Sequence, residues 1–100
     1  MPSDPWPFDQ PKNCATLTTR SVISGAEPIT YVSHDKDDHG WQFIGPSGAA
    51  MKEAMVVGLS EIVAIDPTVL KVADLPPGWI AERDHPGGTW TRAKHSSRVD

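Results

Sequence analysis

Residues 28–45 read PITYVSHDKDDHGWQFIG. The first part, Pro28–His34, is a β-branched and aromatic run. The last, Gly40–Gly45, sets Trp41 and Phe43 two residues apart and therefore on one face of a strand. Between them His34–Gly40 is short, polar and rich in aspartate, which is turn chemistry. Two apolar runs joined by such a connection predict an antiparallel hairpin, and hence a sheet as the scaffold.

Working outward, Ala15–Thr19 is rich in β-branched residues and reads as a strand; Arg20–Gly25 reads as a helical turn that Gly25 ends at a C′ position. Ser47–Glu53 suits a helical turn leading into Met55–Leu59, whose MVVGL reads as a buried strand, although a helix through Ala49–Val57 fits the same residues. Ser60 is a candidate N-cap, with Glu61 near the positive end of the turn and Ile62, Val63 and Ile65 on its apolar side. Asp66 at N-cap and Pro67 at N1 restart the helix, and Pro76 and Pro77 end it. Gly78–Arg83 and Thr89–Arg92 flank the turn-rich DHPGG and predict a second hairpin, in which a one-residue slip reverses the face of Trp90. The expected fold is a single α+β domain: a mainly antiparallel sheet of about five strands with two or three short helices on one face.

Composition fits that expectation. The 100 residues, 38% hydrophobic and 22% charged, suit one globular core. Four prolines make residues 1–12 an irregular arm that Trp6 and Phe8 can dock; residues 13–92 form the body, and residues 93–100 have little to bury and read as a flexible tail. No run approaches the roughly 20 apolar residues of a membrane span, and MPSDPWPFDQPK is no signal peptide, so a cytoplasmic protein is expected. The lone Cys14 suits a reducing compartment. The net charge of −4, with no Lys/Arg cluster, argues against nucleic acid and is compatible with a basic partner.

The order of PITYVSH, the acidic loop with Gly40, Trp41 and Phe43, then Ile62, Asp66 and Pro67, then Pro76, Gly78 and Trp79 leading to Glu82 and Arg83, resembles a bacterial immunity-protein-like family. That family, formerly a domain of unknown function, is the thirty-third immunity class of polymorphic toxin systems, and the resemblance spans about residues 14–92. It implies an α+β fold and a role in neutralising a toxin by direct binding, and it supplies no catalytic residues. Many members carry a long acidic insertion after the Trp-x-Phe strand, where this chain has the short, nearly neutral GPSGAAMKEAM.

Chemical constellations are weak by comparison. His34–His39 packs five potential metal ligands into six residues, but position twelve of a calcium loop counted from Asp35 is Pro46, where a bidentate Glu is needed. A solvated acidic turn explains the segment. Cys14, Ser33, His34, Asp84 and His85 stand in no recognised catalytic signature, and Gly45–Gly48, GPSG, lacks the Lys-Ser/Thr of a phosphate loop. Trp41, Phe43 and Trp79 are expected in the core, with Asp66 and Pro67 structural; Trp90 is the expected exposed aromatic. The expected function is non-catalytic protein binding, with Asp35, Asp37, Asp38 and Trp90 on the partner surface and no metal or cofactor. The alternatives are a stand-alone regulatory or ligand-binding domain, and a small hydrolase using the loop histidines.

Overall fold

The computed structural model describes residues 6–37, 39–48 and 51–94. Six strands, β1 (Ala15–Thr19), β2 (Tyr31–His34), β3 (Trp41–Ile44), β4 (Ala54–Gly58), β5 (Trp79–Glu82) and β6 (Thr91–Lys94), form one sheet in the order β4-β1-β3-β2-β5-β6. Two α-helices, α1 (Arg20–Ile23) and α2 (Leu59–Ile65), and two 3-10 segments, Met51–Glu53 and Pro67–Val72, complete it. The architecture is α+β, as expected. The sheet has one more strand than expected and is mixed, because β1 runs parallel to β3 while the other neighbours are antiparallel.

Both predicted hairpins form. Strands β2 and β3 pair as Tyr31↔Ile44 through His34↔Trp41, and β5 and β6 as Trp79↔Lys94 through Glu82↔Thr91. The second hairpin carries β6 to Lys94, two residues into the segment expected as tail. Directly opposed residues share a face, so registers assign both faces of the sheet. Val32, His34, Trp41, Phe43 and Ala81 point to one side, where Phe8, Val22, Leu59, Ile62, Val69 and Val72 cover them as one buried cluster. Helices α1 and α2 and the Pro67–Val72 segment thus supply side chains to one face. Thr16 and Thr18 also point inward, and their hydroxyls donate to the Val57 (3.0 Å) and Phe43 (2.6 Å) carbonyls, so neither buried group is left unpaired.

The N-terminal arm contributes to this core. Phe8 is 4% exposed and sits edge-on to Trp41 at 5.1 Å, while the Trp41 Nε1–H donates to Gln10 Oε1 at 2.8 Å. Helix α2 begins two residues earlier than Ser60 would set it: Gly58 holds the N-cap place, and Glu61 accepts from its amide at 3.1 Å. The amides of Leu59 and Ser60 donate to the Cys14 and Lys12 carbonyls at 2.8 Å each, so the chain entering β1 caps the first turn. Asp66 caps the 3-10 segment as expected, accepting from the Thr68 amide at 3.0 Å with Pro67 next.

The MVVGL stretch forms a strand, but an outermost one and not a buried one. Strand β4 pairs with β1 alone, and Val56 is 69% exposed. A local apolar run cannot specify which strand has two neighbours, because that depends on the order of the whole sheet.

Candidate functional site

Among the described residues, the helical side chains of the buried cluster all pack on the first face of the sheet and none of them covers the second. The registers Leu17↔Val56, Leu17↔Gln42, Ser33↔Gln42, Ser33↔Ile80 and Ile80↔Ala93 align one residue from every strand into a single row. The row reads Val56, Leu17, Gln42, Ser33, Ile80, Ala93 and contains no charge. Leu17, Val56 and Ile80 stand outside the buried cluster and outside the partly buried side chains packed on it. Of the three aliphatic side chains in the row, Val56 is 69% exposed and Leu17 and Ile80 are half-buried.

Carboxylates stand at both ends of this face. At one end Asp35, Leu17, Gln42 and Val56 line a shallow depression of about 250 Å³. Asp35 begins the loop after β2; its Oδ1 accepts from the Asp37 amide at 3.0 Å, a local turn that leaves Asp37 exposed. Asp38 lies outside the described residues. His39 takes φ 58°, a left-handed conformation that turns the loop back to Gly40 and β3.

His34 is not part of a solvated loop. It is the last residue of β2, 4% exposed, and stacks on Trp41 with centroids 4.0 Å apart. Its Nδ1–H donates to the Leu75 carbonyl at 2.6 Å, and its buried Nε2 has no hydrogen-bond partner among the described residues. The His39 ring is 6.2 Å away. Among the described residues no three His, Cys, Asp or Glu side chains converge on a point that could hold a metal ion.

At the other end, Tyr31, Ile44, Pro46, Glu82, Asp84 and Thr91 line a larger cleft of about 680 Å³. Burial, and then the Glu82 carboxylate, raise the Tyr31 phenol above its ordinary value. Both effects disfavour the phenolate, so the hydroxyl stays protonated and able to donate.

The expected structural residues divide in two. Trp41 and Phe43 are fully buried, whereas Trp79, opposite His34 and Lys94, is only half-buried because β6 is the last strand beyond it. Trp90 is not the exposed aromatic. It is half-buried with the Arg83 guanidinium 4.1 Å over its ring, and its buried Nε1 has no hydrogen-bond partner among the described residues. The exposed apolar residue of the face is instead Val56.

Arg83 organises more of the molecule than its sequence context suggests. Its side chain is 1% exposed; Nε and Nη2 donate to the Ile29 carbonyl at 3.0 and 2.9 Å, Nη1 to Thr68 Oγ1 at 2.8 Å, and Nη2 to Asp66 Oδ2 at 2.7 Å. The guanidinium thus ties the end of β5 to the Asp66-Pro67 cap and to the strand entering β2. Burial of such a charge is tolerated only with full hydrogen bonding of this kind. The pairing joins two motif fragments that the sequence shows only as separate pieces. Each could be read locally; a 17-residue separation left no local signal of their contact.

No family model, no curated protein and no solved structure matches this chain. Among the described residues no helix is long and apolar enough to cross a membrane.

Proposed function

We propose that this chain is a non-catalytic protein-binding domain that acts by occupying its partner, in the manner of immunity proteins that neutralise a toxin. The observation that carries the reading is the open sheet face, with an uncharged row running across six strands and carboxylates to either side of it along the strand direction. Burial of Val56, Leu17 and Ile80 would supply the non-directional part of binding, at roughly 25 cal/mol for each Å² of apolar surface covered. Asp35 at one end and Glu82 and Asp84 at the other select a partner whose apolar patch is flanked by basic side chains. The net charge of −4 acts in the same direction over longer range. The edge strand β4 extends the same surface. AMVVG has neither charge nor proline, the features that ordinarily protect a sheet edge from a further strand.

The toxin reading takes its name from the motif order, and its support from a face suited to direct occlusion. Its test is co-expression with the product of the adjacent reading frame. The expected result is restored growth and a co-purifying complex. Restored growth without a complex, or a toxic product unaffected by the domain, overturns the reading. The acidic loop gives a second handle, because several like charges on a hairpin speed encounter more than they hold the docked complex. Asn at Asp35, Asp37 and Asp38 should lower the association rate and flatten its salt dependence while the unfolding midpoint stays put.

A further inference from the structure

The cleft beyond the uncharged row is built by three separate stretches of chain. Its floor is a second cross-strand row, Ile44, Tyr31, Glu82 and Thr91, set by the pairs Tyr31↔Ile44, Tyr31↔Glu82 and Glu82↔Thr91. One wall is the turn after β3. There Glu27 accepts from the Ser47 amide at 3.1 Å and the Ser47 hydroxyl at 2.7 Å, and the Gly48 amide donates to the Gly45 carbonyl at 3.0 Å. Gly45 lets this wall close, since a Cβ there would stand 2.5 Å from the Glu27 side chain and 2.7 Å from the Pro28 carbonyl. The other wall is the connection from β5 to β6, anchored by Arg83 and Trp90 on the helical side. Both walls are therefore fixed before any ligand arrives, and a volume of about 680 Å³ is within the usual range for bound side chains and small molecules.

The charge inside has no internal answer. Glu82 and Asp84 line the cleft, and neither has an ion-pair partner among the described residues. Arg83, the one basic residue of the lining, has its guanidinium turned to the opposite face and committed to Asp66, Thr68 and Ile29. Tyr31 adds an aromatic ring directly across the strand from Glu82, at the several-ångström spacing of opposed side chains. A carboxylate beside an aromatic face is the arrangement that holds a cation with an apolar stem. The ring attracts the charge, the carboxylate pairs with it, and Ile44 and Pro46 contact the methylenes.

We infer that this cleft receives a basic side chain, an arginine or lysine presented by the bound protein, with its cationic end between Tyr31, Glu82 and Asp84. The inference deepens the protein-binding reading, on which the source of the side chain rests; the cation preference of the cleft is measurable without any partner. The experiment titrates the full chain, labelled for amide NMR, with Nα-acetylarginine amide and, in parallel, with the uncharged citrulline analogue and with inorganic phosphate.

Saturable shifts confined to the amides of Tyr31, Gly45, Gly48, Glu82 and Thr91 are expected with the arginine amide alone. A Glu82→Gln, Asp84→Asn variant should weaken them about tenfold. Equal shifts with citrulline, saturable shifts with phosphate, arginine shifts located elsewhere, or an unchanged affinity in the double variant each overturn the inference. Because both substituted side chains are exposed, the variant is expected to fold, and its unfolding midpoint is the control. Failure of the titration leaves co-purification through Val56 and the open row to be judged separately, so the two readings fall independently.

Discussion

The two faces of the sheet use similar residues to opposite ends. On the covered face, Val32, Phe43 and Ala81 are aligned across three strands and each is fully buried. On the open face, Val56, Leu17 and Ile80 hold comparable places in a row across the same sheet, yet Val56 is 69% exposed and the other two are only half-buried. Hydrophobicity therefore does not by itself say what a strand residue is for. The difference lies in what lies over it: α2, the Pro67–Val72 segment and the N-terminal arm on one side, and none of the core-forming elements on the other.

If that division is right, substitutions should separate by face. Trp41→Ala should cost most, about 3 to 5 kcal/mol, since it removes the ring against which Phe8 sits edge-on and His34 and Phe43 stack, and strands the Gln10 side chain. Chemical denaturation measures it, and an unchanged midpoint would show that the covered face is not the core. Arg83→Ala should approach it, at about 3 kcal/mol, because Asp66 and the Ile29 carbonyl lose their buried partner. Phe8→Ala should cost about 2 to 4 kcal/mol, and a midpoint within error of wild type would return the arm to the surface. Val56→Glu, of similar size but on the open face, should stay within about 0.5 kcal/mol.

The smallest effect is spectroscopic. Tyr31 is the single tyrosine, so phenolate absorbance reports on it alone. Its pKa is raised above the ordinary 10.0 by burial and then by Glu82, so the protonated form is favoured in the folded state. The associated stability is present below about pH 10 and lost as pH rises through the folded value. Glu82→Gln should move the midpoint down toward 10, and bound arginine amide should move it the same way. A midpoint that Glu82→Gln leaves in place would separate the phenol from the carboxylate across the cleft.

Local features of this fold were legible in the sequence. The alternation of Trp41 and Phe43, the Asp66-Pro67 cap and the DHPGG connection each act over a few residues, and each forms the element its chemistry suggests. What escaped reading depends on the order of the strands. MVVGL looks the same at the edge as at the centre, and Phe8 looks like any aromatic in a proline-rich arm until Trp41 is placed beside it. His34 stands in the sequence both at the end of the strand run and at the start of the polar loop, and only its register opposite Trp41 and Trp79 puts it inside. The cleft was the least legible feature, since residues 30–31, 44–48 and 82–91 meet only after the second hairpin docks beside the first. Asp35 and Asp37 could be found because the turn that holds them, and leaves Asp37 exposed, is local.

The central claim, that one face holds the fold and the other holds the partner, is tested most directly by isothermal titration of the co-expressed partner into the wild-type chain and into a Val56→Glu, Ile80→Glu variant. Binding through the open face should leave the unfolding midpoint close to wild type and weaken binding at least about a hundredfold, as two charges buried without partners at an interface should produce. Wild-type affinity in that variant, with its fold intact, would contradict it.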